Sequence, residues 1–354
     1  MKRSIEKKNV IQNRRLKIER NRRRQKRRSK FLNRTKNNYR SSQVLPKNYY
    51  KKASRNFESG RVRQKVLFAP IKLSLQIGDS EKVLRFIDSL KNYGTKYNHI
   101  HLNLDDVQLI GEGVIGMLLS VINELTAKKV AISGTKPKST IPRTMLEKSG
   151  FFKYMRGSVS TENLNTKNII IRTGDINTSK QELLPEMPKA METVWGSRSR
   201  CPELFGVIGE MLRNSCDHAF KNDHKIIWHL GVSHNEEENT VKFSFVDNGI
   251  GIIKTYNNRS NWAKLKSLIK NDAILLESAY KRGIESQTGL PWRGEGLPTI
   301  YELYEDNIIT NLVVITNNVY LDFDNSKFEE IKYPFSGTYY FWQINKSCKP
   351  AYFV

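Results

Sequence analysis

Residues 203–251 constrain the fold of this 354-residue chain more than any other stretch. Leu204, Phe205, Val207, Ile208, Met211 and Leu212 recur at helical spacing and supply an apolar face that can rest on a sheet. Pro202 stands in the first turn, where its missing N–H costs nothing. Glu210 and Asn214 are four residues apart, one above the other on the helix, with His218 next along the same row. A carboxylate and an amide are thereby aimed at one place. Two strand-like segments follow, and the second delivers Asp247 into Asn248-Gly249-Ile250-Gly251, whose glycines permit a sharp bend and close approach to a ligand.

Downstream, Arg293-Gly294-Glu295-Gly296-Leu297 opens a helix-like run, and Ser336-Gly337-Thr338 leads into a terminal strand at 339–344. The ordered set Glu-x-x-x-Asn, Asp-x-Gly-x-Gly, Gly-x-Gly-Leu and Gly-Thr resembles the GHKL ATPase superfamily, which includes DNA gyrase, histidine kinases, mismatch-repair ATPases and anti-sigma-factor kinases. The resemblance covers residues 202–344 and implies a Bergerat-type α/β sandwich that binds ATP and magnesium. It implies that Asn214 holds the metal ion and that Glu210 is the catalytic residue, orienting or deprotonating a water or hydroxyl. It further implies that Asp247 accepts a hydrogen bond from the adenine amino group, that Gly249, Gly251, Gly294 and Gly296 flex or cradle around the nucleotide, and that Thr338 lies near the adenine. Residues 252–292 would then be the lid. Arg282 and Arg293 are its candidate phosphate contacts, since a guanidinium can bind two phosphate oxygens at once; the alternative is that both are surface arginines.

Upstream, strand-like and helix-like groups alternate: 66–75 as strand, 80–91 as an amphipathic helix, 100–104 as a buried strand, 114–127 as a helix, 130–133 as a strand and 140–148 as a short helix. Such alternation implies an α/β domain. The segment from His101 through Asp105, Asp106 and Gly116, with the apolar helix and strand after it, resembles a STAS domain, the fold of anti-sigma-factor antagonists, and 146–152 looks like that family's last helix. Here the family's Asp-Ser-Ser-Gly acceptor turn is replaced by Gly111-Glu112-Gly113-Val114, so no hydroxyl stands at the acceptor position. Glu112 is either a fixed mimic of the phosphorylated state or a plain carboxylate at a helix start, where the dipole favours it.

Charge is segregated. Residues 1–65 hold 25 Lys or Arg against 3 Glu, a net +22 of the chain's +25, which leaves +3 for the rest. Leu16, Ile18, Phe31 and Leu32 are too few for a core, so this arm is expected to be disordered when unbound. One reading lays it along nucleic-acid phosphates with Tyr39, Tyr49 and Tyr50 free to stack on bases. A nuclear-localisation-like or solubilising tail, a membrane-surface patch, or a ribosome-adjacent basic extension are the plainer readings. Cys201, Cys216 and Cys348 have no metal-like spacing and are odd in number, which suits a reducing, cytoplasmic compartment. The longest apolar run, near 114–122, falls short of the roughly 18 residues of a membrane span.

The expected organisation is α/β and α+β: a basic arm at 1–62, a STAS-like α/β domain at 63–156, a connector at 157–200, a GHKL ATP-binding domain at 201–346 and a tail at 347–354. Within the connector, strand 169–171 could join the sheet of either domain, and 195–200 reads as a hinge. Three function classes follow. The first is a slow, magnesium-dependent ATPase of bacterial type, regulatory or effector, whose lid closure is coupled to the STAS-like domain and to nucleic acid on the arm. The second is an anti-sigma-type protein Ser/Thr kinase acting on another protein. The third is a non-catalytic nucleotide sensor or scaffold. A protein partner for the STAS-like domain and a homodimer are further expectations of the resemblance.

Overall fold

The computed structural model describes residues 63–75, 79–155, 169–175, 186–199, 201–217, 227–257, 262, 266–267, 269–282 and 296–349. The chain divides into Met1–Arg55 and Asn56–Val354, and every described residue belongs to the second unit. The expectations for the basic arm, including its disorder, lie outside the described residues.

The second unit is mixed α/β and contains two kinds of sheet. Strands β1 (Gln64–Phe68), β3 (His99–Asn103) and β5 (Ala131–Gly134) form a parallel sheet in the order β1-β3-β5, while the two-residue strands β2 (Lys72–Leu73) and β4 (Leu109–Ile110) pair in parallel beside it. The strand expected at 66–75 is broken in two, because Pro70 has no N–H for a ladder. Helices α1 (Ser80–Tyr93), α2 (Glu112–Ala127) and α3 (Thr140–Lys148) complete this half, followed by a 3₁₀ turn, Phe151–Tyr154.

Strand β6 (Ile169–Asp175) and helices α4 (Glu186–Trp195) and α5 (Pro202–Asp217) come next. Then follow β7 (Ile227–Asn235), β8 (Thr240–Asp247), α6 (Ile252–Tyr256), α7 (Asp272–Arg282), α8 (Gly296–Glu305), β9 (Thr310–Asp322) and β10 (Lys327–Asn345). The five strands form one antiparallel sheet in the order β6-β7-β8-β10-β9. The stretch read as a connector therefore supplies an edge strand, β6, and a helix, α4, whose Met187, Ala190, Met191 and Val194 are buried in the same core as α5. The terminal strand read at 339–344 is part of a much longer one, and β9 escaped the sequence reading. Cys348, placed in a tail, is buried against this core, and the Lys349 N–H donates to the Asn307 carbonyl.

Side-chain alternation assigns the two faces of the antiparallel sheet. Tyr340, Trp342 and Ile344 join Val241, Phe243 and Phe245 in the core shared with α4, α5, α7 and α8, where Phe243 stacks on Trp342 with ring centroids 5.2 Å apart. Val246, Ile315, Tyr320, Phe335 and Tyr339 belong to the opposite core, together with the apolar residues of α1 and α2. Helix α2 explains the arrangement. Val114, Ile115, Met117, Leu118, Leu119, Val121, Ile122 and Leu125 are all buried, so it is apolar around nearly its whole circumference and must be covered on every side. It lies between the parallel sheet and the back of the antiparallel sheet. Gly116 lets it approach closely, for a Cβ there would stand 3.1 Å from Val246 Cγ2. Polar contacts join the same layers: Asn123 Nδ2 to His229 Nε2 at 3.3 Å, Lys91 to Glu124 at 3.0 Å, and a hydrogen bond from Lys91 Nζ to Ser336 Oγ. Covered on both faces, β8 is buried almost throughout instead of alternating with solvent.

Candidate functional site

Asp247 closes β8 with its side chain on the α5 face. It is almost wholly buried, and its carboxylate collects donors from three segments. Oδ1 accepts the Gly249 N–H at 2.8 Å and the Thr338 N–H at 3.2 Å, while Oδ2 lies 2.9 Å from the Ser215 hydroxyl. The Ser215 proton is shared with the Met211 carbonyl, also at 2.9 Å. Burial pushes the Asp247 carboxyl above its ordinary range, and the bonds from Gly249, Ser215 and Thr338 act against that shift by favouring the charged form. Three of the residues singled out in the sequence, Asp247, Gly249 and Thr338, thus meet on one carboxylate.

The second group sits one residue away along α5. Asn214 precedes Ser215; its Nδ2 is buried without a hydrogen-bond partner, and its side chain lies near the buried Tyr340 hydroxyl. Tyr340 in turn accepts a hydrogen bond from Tyr280 at 3.1 Å. One turn earlier, Glu210 is partly buried and ion-paired with Arg213. The start of α8 meets both residues: a Cβ on Gly296 would lie 2.9 Å from Glu210 Oε2 and 3.3 Å from Asn214 Oδ1. Glycine at this position leaves the carboxylate and the amide uncovered by side chain. Glu210 and Asn214 share one row of α5, Gly296 meets both, and the Asn214-Ser215 step joins them to the Asp247 group.

No family model matches the chain, and no curated protein matches its sequence significantly.

The remaining expected residues divide. Gly251 takes φ +86, a conformation that favours glycine, and lies against Asn317. Arg282 is exposed at the C-terminal end of α7. Arg293, Gly294 and His218 lie outside the described residues, as does much of the expected lid; of that lid Trp262 is fully buried and stacks on Tyr256 at 5.2 Å. The Glu112 side chain lies outside the described residues. Among the described residues there is no cluster of three or more His, Cys, Asp or Glu able to hold a metal. No helix among them is long and apolar enough to cross a membrane.

Ser215, Thr316, Asn317 and Tyr340 are the site residues that the sequence reading missed. Ser215 carried a weak signal, being a small polar residue beside Asn214 on the inner side of an apolar helix. Thr316 and Asn317 carried a stronger one, a polar pair following Val313, Val314 and Ile315 in a strand; buried polar groups in such a place need partners.

Proposed function

We propose that the protein is a magnesium-dependent ATP-binding regulatory or effector protein of GHKL type, a slow ATPase whose back-face α/β half is STAS-like. The observation that carries this reading is the meeting of Glu210, Asn214 and Gly296 at one spot, one residue along α5 from the Ser215–Asp247 bond. The donor set suits the ligand. A magnesium ion prefers oxygen ligands and keeps several waters, so the single amide oxygen of Asn214 together with nucleotide phosphates is enough. Of the two Asn214 amide atoms only Oδ1 is an oxygen ligand, and a Cβ on Gly296 would lie 3.3 Å from it. The bound metal would supply charge neutralisation for the phosphates. Asp247 would accept from the adenine amino group, Glu210 would take the proton of the attacking group, and the glycine at 296 would leave room for both.

A protein kinase using the same Glu210 is the second reading. One observation limits its target: Val246 and Tyr339 pack on α2 from the face opposite the Asp247 side chain, so the start of α2 does not face the Asp247 carboxylate. With no hydroxyl in the Gly111–Val114 turn either, the proposed target of such a kinase is another protein. The basic arm makes nucleic acid or a similar polyanion the proposed partner of either activity.

The test is binding and turnover of Mg·ATP by the full chain. Glu210→Ala is expected to keep nucleotide affinity and lose turnover about 100-fold or more. Asn214→Ala is expected to lose magnesium-dependent binding. Wild-type hydrolysis by Glu210→Ala would remove it as the base, and absence of ATP binding by the wild type would sink the whole reading. Turnover stimulated by DNA or RNA and abolished by salt would favour the nucleic-acid-coupled ATPase; transfer of phosphate to an added protein would favour the kinase.

A further inference from the structure

Strands β9 and β10 lose their register beside the site. Asn317 pairs with Phe335 and Thr316 with Thr338, so Ser336 and Gly337 bulge out of β10. On the facing strand Asn317 has φ +52, a left-handed conformation that Asn tolerates better than most residues. Both Thr316 and Asn317 are buried, and both side chains leave their own strand to bind a different loop. Asn317 Nδ2 donates to the Ile250 carbonyl at 2.8 Å, and its Oδ1 accepts the Lys254 N–H at 3.2 Å. Exchanging the amide oxygen and nitrogen would set acceptor against acceptor and donor against donor, so the amide has one orientation. Thr316 Oγ1 accepts the Ile252 N–H and donates to the Gly337 carbonyl, each at 2.9 Å.

We propose that Thr316 and Asn317 form a clip that sets the shape of the nucleotide site, with Asn317 as the positioning residue for the glycine turn at 249–251. The proposal rests on the ATP-binding reading above. The clip grips the turn on both sides of Gly251, where a Cβ would stand 2.5 Å from Asn317 Oδ1, and through Thr316 it holds Gly337 in the bulge that brings the Thr338 N–H onto Asp247. Neither residue needs to touch the ligand. A turn lined by glycines has no stiffness of its own, so its geometry must come from a neighbour, and β9 supplies it.

Asn317→Gly removes the amide while accepting the positive φ, and Asn317→Asp keeps the shape and the acceptor but presents an oxygen to the Ile250 carbonyl. Hydrogen exchange on the ligand-free full chain reads the clip itself: in Asn317→Gly the Lys254 amide should exchange about tenfold faster or more, and Asn317→Asp should restore much of that protection. Calorimetry with Mg·ATP and Mg·GTP reads the positioning role: both variants should bind Mg·ATP about tenfold or more weakly, with a smaller preference over Mg·GTP. Unchanged Lys254 exchange in Asn317→Gly would overturn the clip. Faster exchange with wild-type affinity and preference would overturn the positioning role. A wild-type chain that does not bind Mg·ATP would sink the nucleotide reading and the positioning role with it, an outcome told apart from the first because exchange is measured without nucleotide. Should Asn317→Gly not fold, Asn317→Asp carries the affinity and preference readings, and loss of neither would overturn the proposal.

Discussion

Gly337→Ala is expected to destabilise the protein by about 3–5 kcal/mol, an overpacking cost added to backbone strain. Gly337 has φ +103, outside the region that L side chains adopt readily. An added Cβ would stand 2.2 Å from the Asp247 carbonyl oxygen and 3.3 Å from the Asn248 Cα. These are backbone atoms and cannot swing aside, so either the β10 bulge or the end of β8 must move. Both hold the Asp247 site: the bulge presents the Thr338 N–H, and β8 carries the carboxylate. The same substitution at Gly206 is the control. Gly206 is exposed within α5, and a Cβ there has nothing within 4 Å. Gly206→Ala should therefore stabilise by about 0.5–1 kcal/mol through helix propensity. Denaturant midpoints of the two variants check the pair, and a Gly337→Ala midpoint close to wild type would refute the close approach.

Acidification should produce the second large effect, through His229 and His234. Burial lowers both to about 4, against an ordinary value of 6.5, with nearby Lys189 adding to the shift at His234. His229 lies on the back face beside Asn123, and His234 Nδ1 is 2.8 Å from the Thr193 hydroxyl while its Nε2 is buried without a hydrogen-bond partner. The unfolded chain binds protons at these histidines more readily than the folded one, so stability rises with pH between the two values. It is fully present above about 6.5 and is lost as the pH falls toward 4, by up to about 1.4 kcal/mol per unit for each histidine. Glu124, held below its ordinary value by Lys128 and Lys91 despite its burial, adds a loss at lower pH. Asp247 and Asp322, raised by burial, act in the opposite sense. The histidine contribution is isolated by comparing unfolding free energies of wild type and His234→Gln from pH 7.5 to 4.5. The variant should show the shallower fall, and equal slopes would mean that His234 is not held neutral.

How much of this was legible in the sequence differs from residue to residue. Helix α5 was readable because its signals lie within a single helix: Pro202 at the start, apolar residues at helical spacing, and Glu210 above Asn214. The helix at 140–148 was readable for the same reason, and its bounds agree with α3. Strand β9 was harder, because its apolar residues serve both faces and its Thr316-Asn317-Asn318 run interrupts them. Strand β6 was found as a strand, but its sheet was open; pairing with β7 decided it.

The sequence by itself marked helices α1, α2, α3 and α5 and set Glu210 above Asn214 on one row of α5. Those properties depend on neighbours a few positions apart. Only the tertiary structure decided that Asp247 is held by Ser215 and Thr338, that Asn317 grips the turn around Gly251, and that the α/β half covers the back of the antiparallel sheet. The physical reason is separation along the chain: Asn317 and the Ile250 carbonyl are 67 residues apart, and Thr338 and Asp247 are 91 apart. No local propensity encodes such pairings. They are selected when apolar faces close the two cores and leave each buried polar group only the partners that the packing brings within reach.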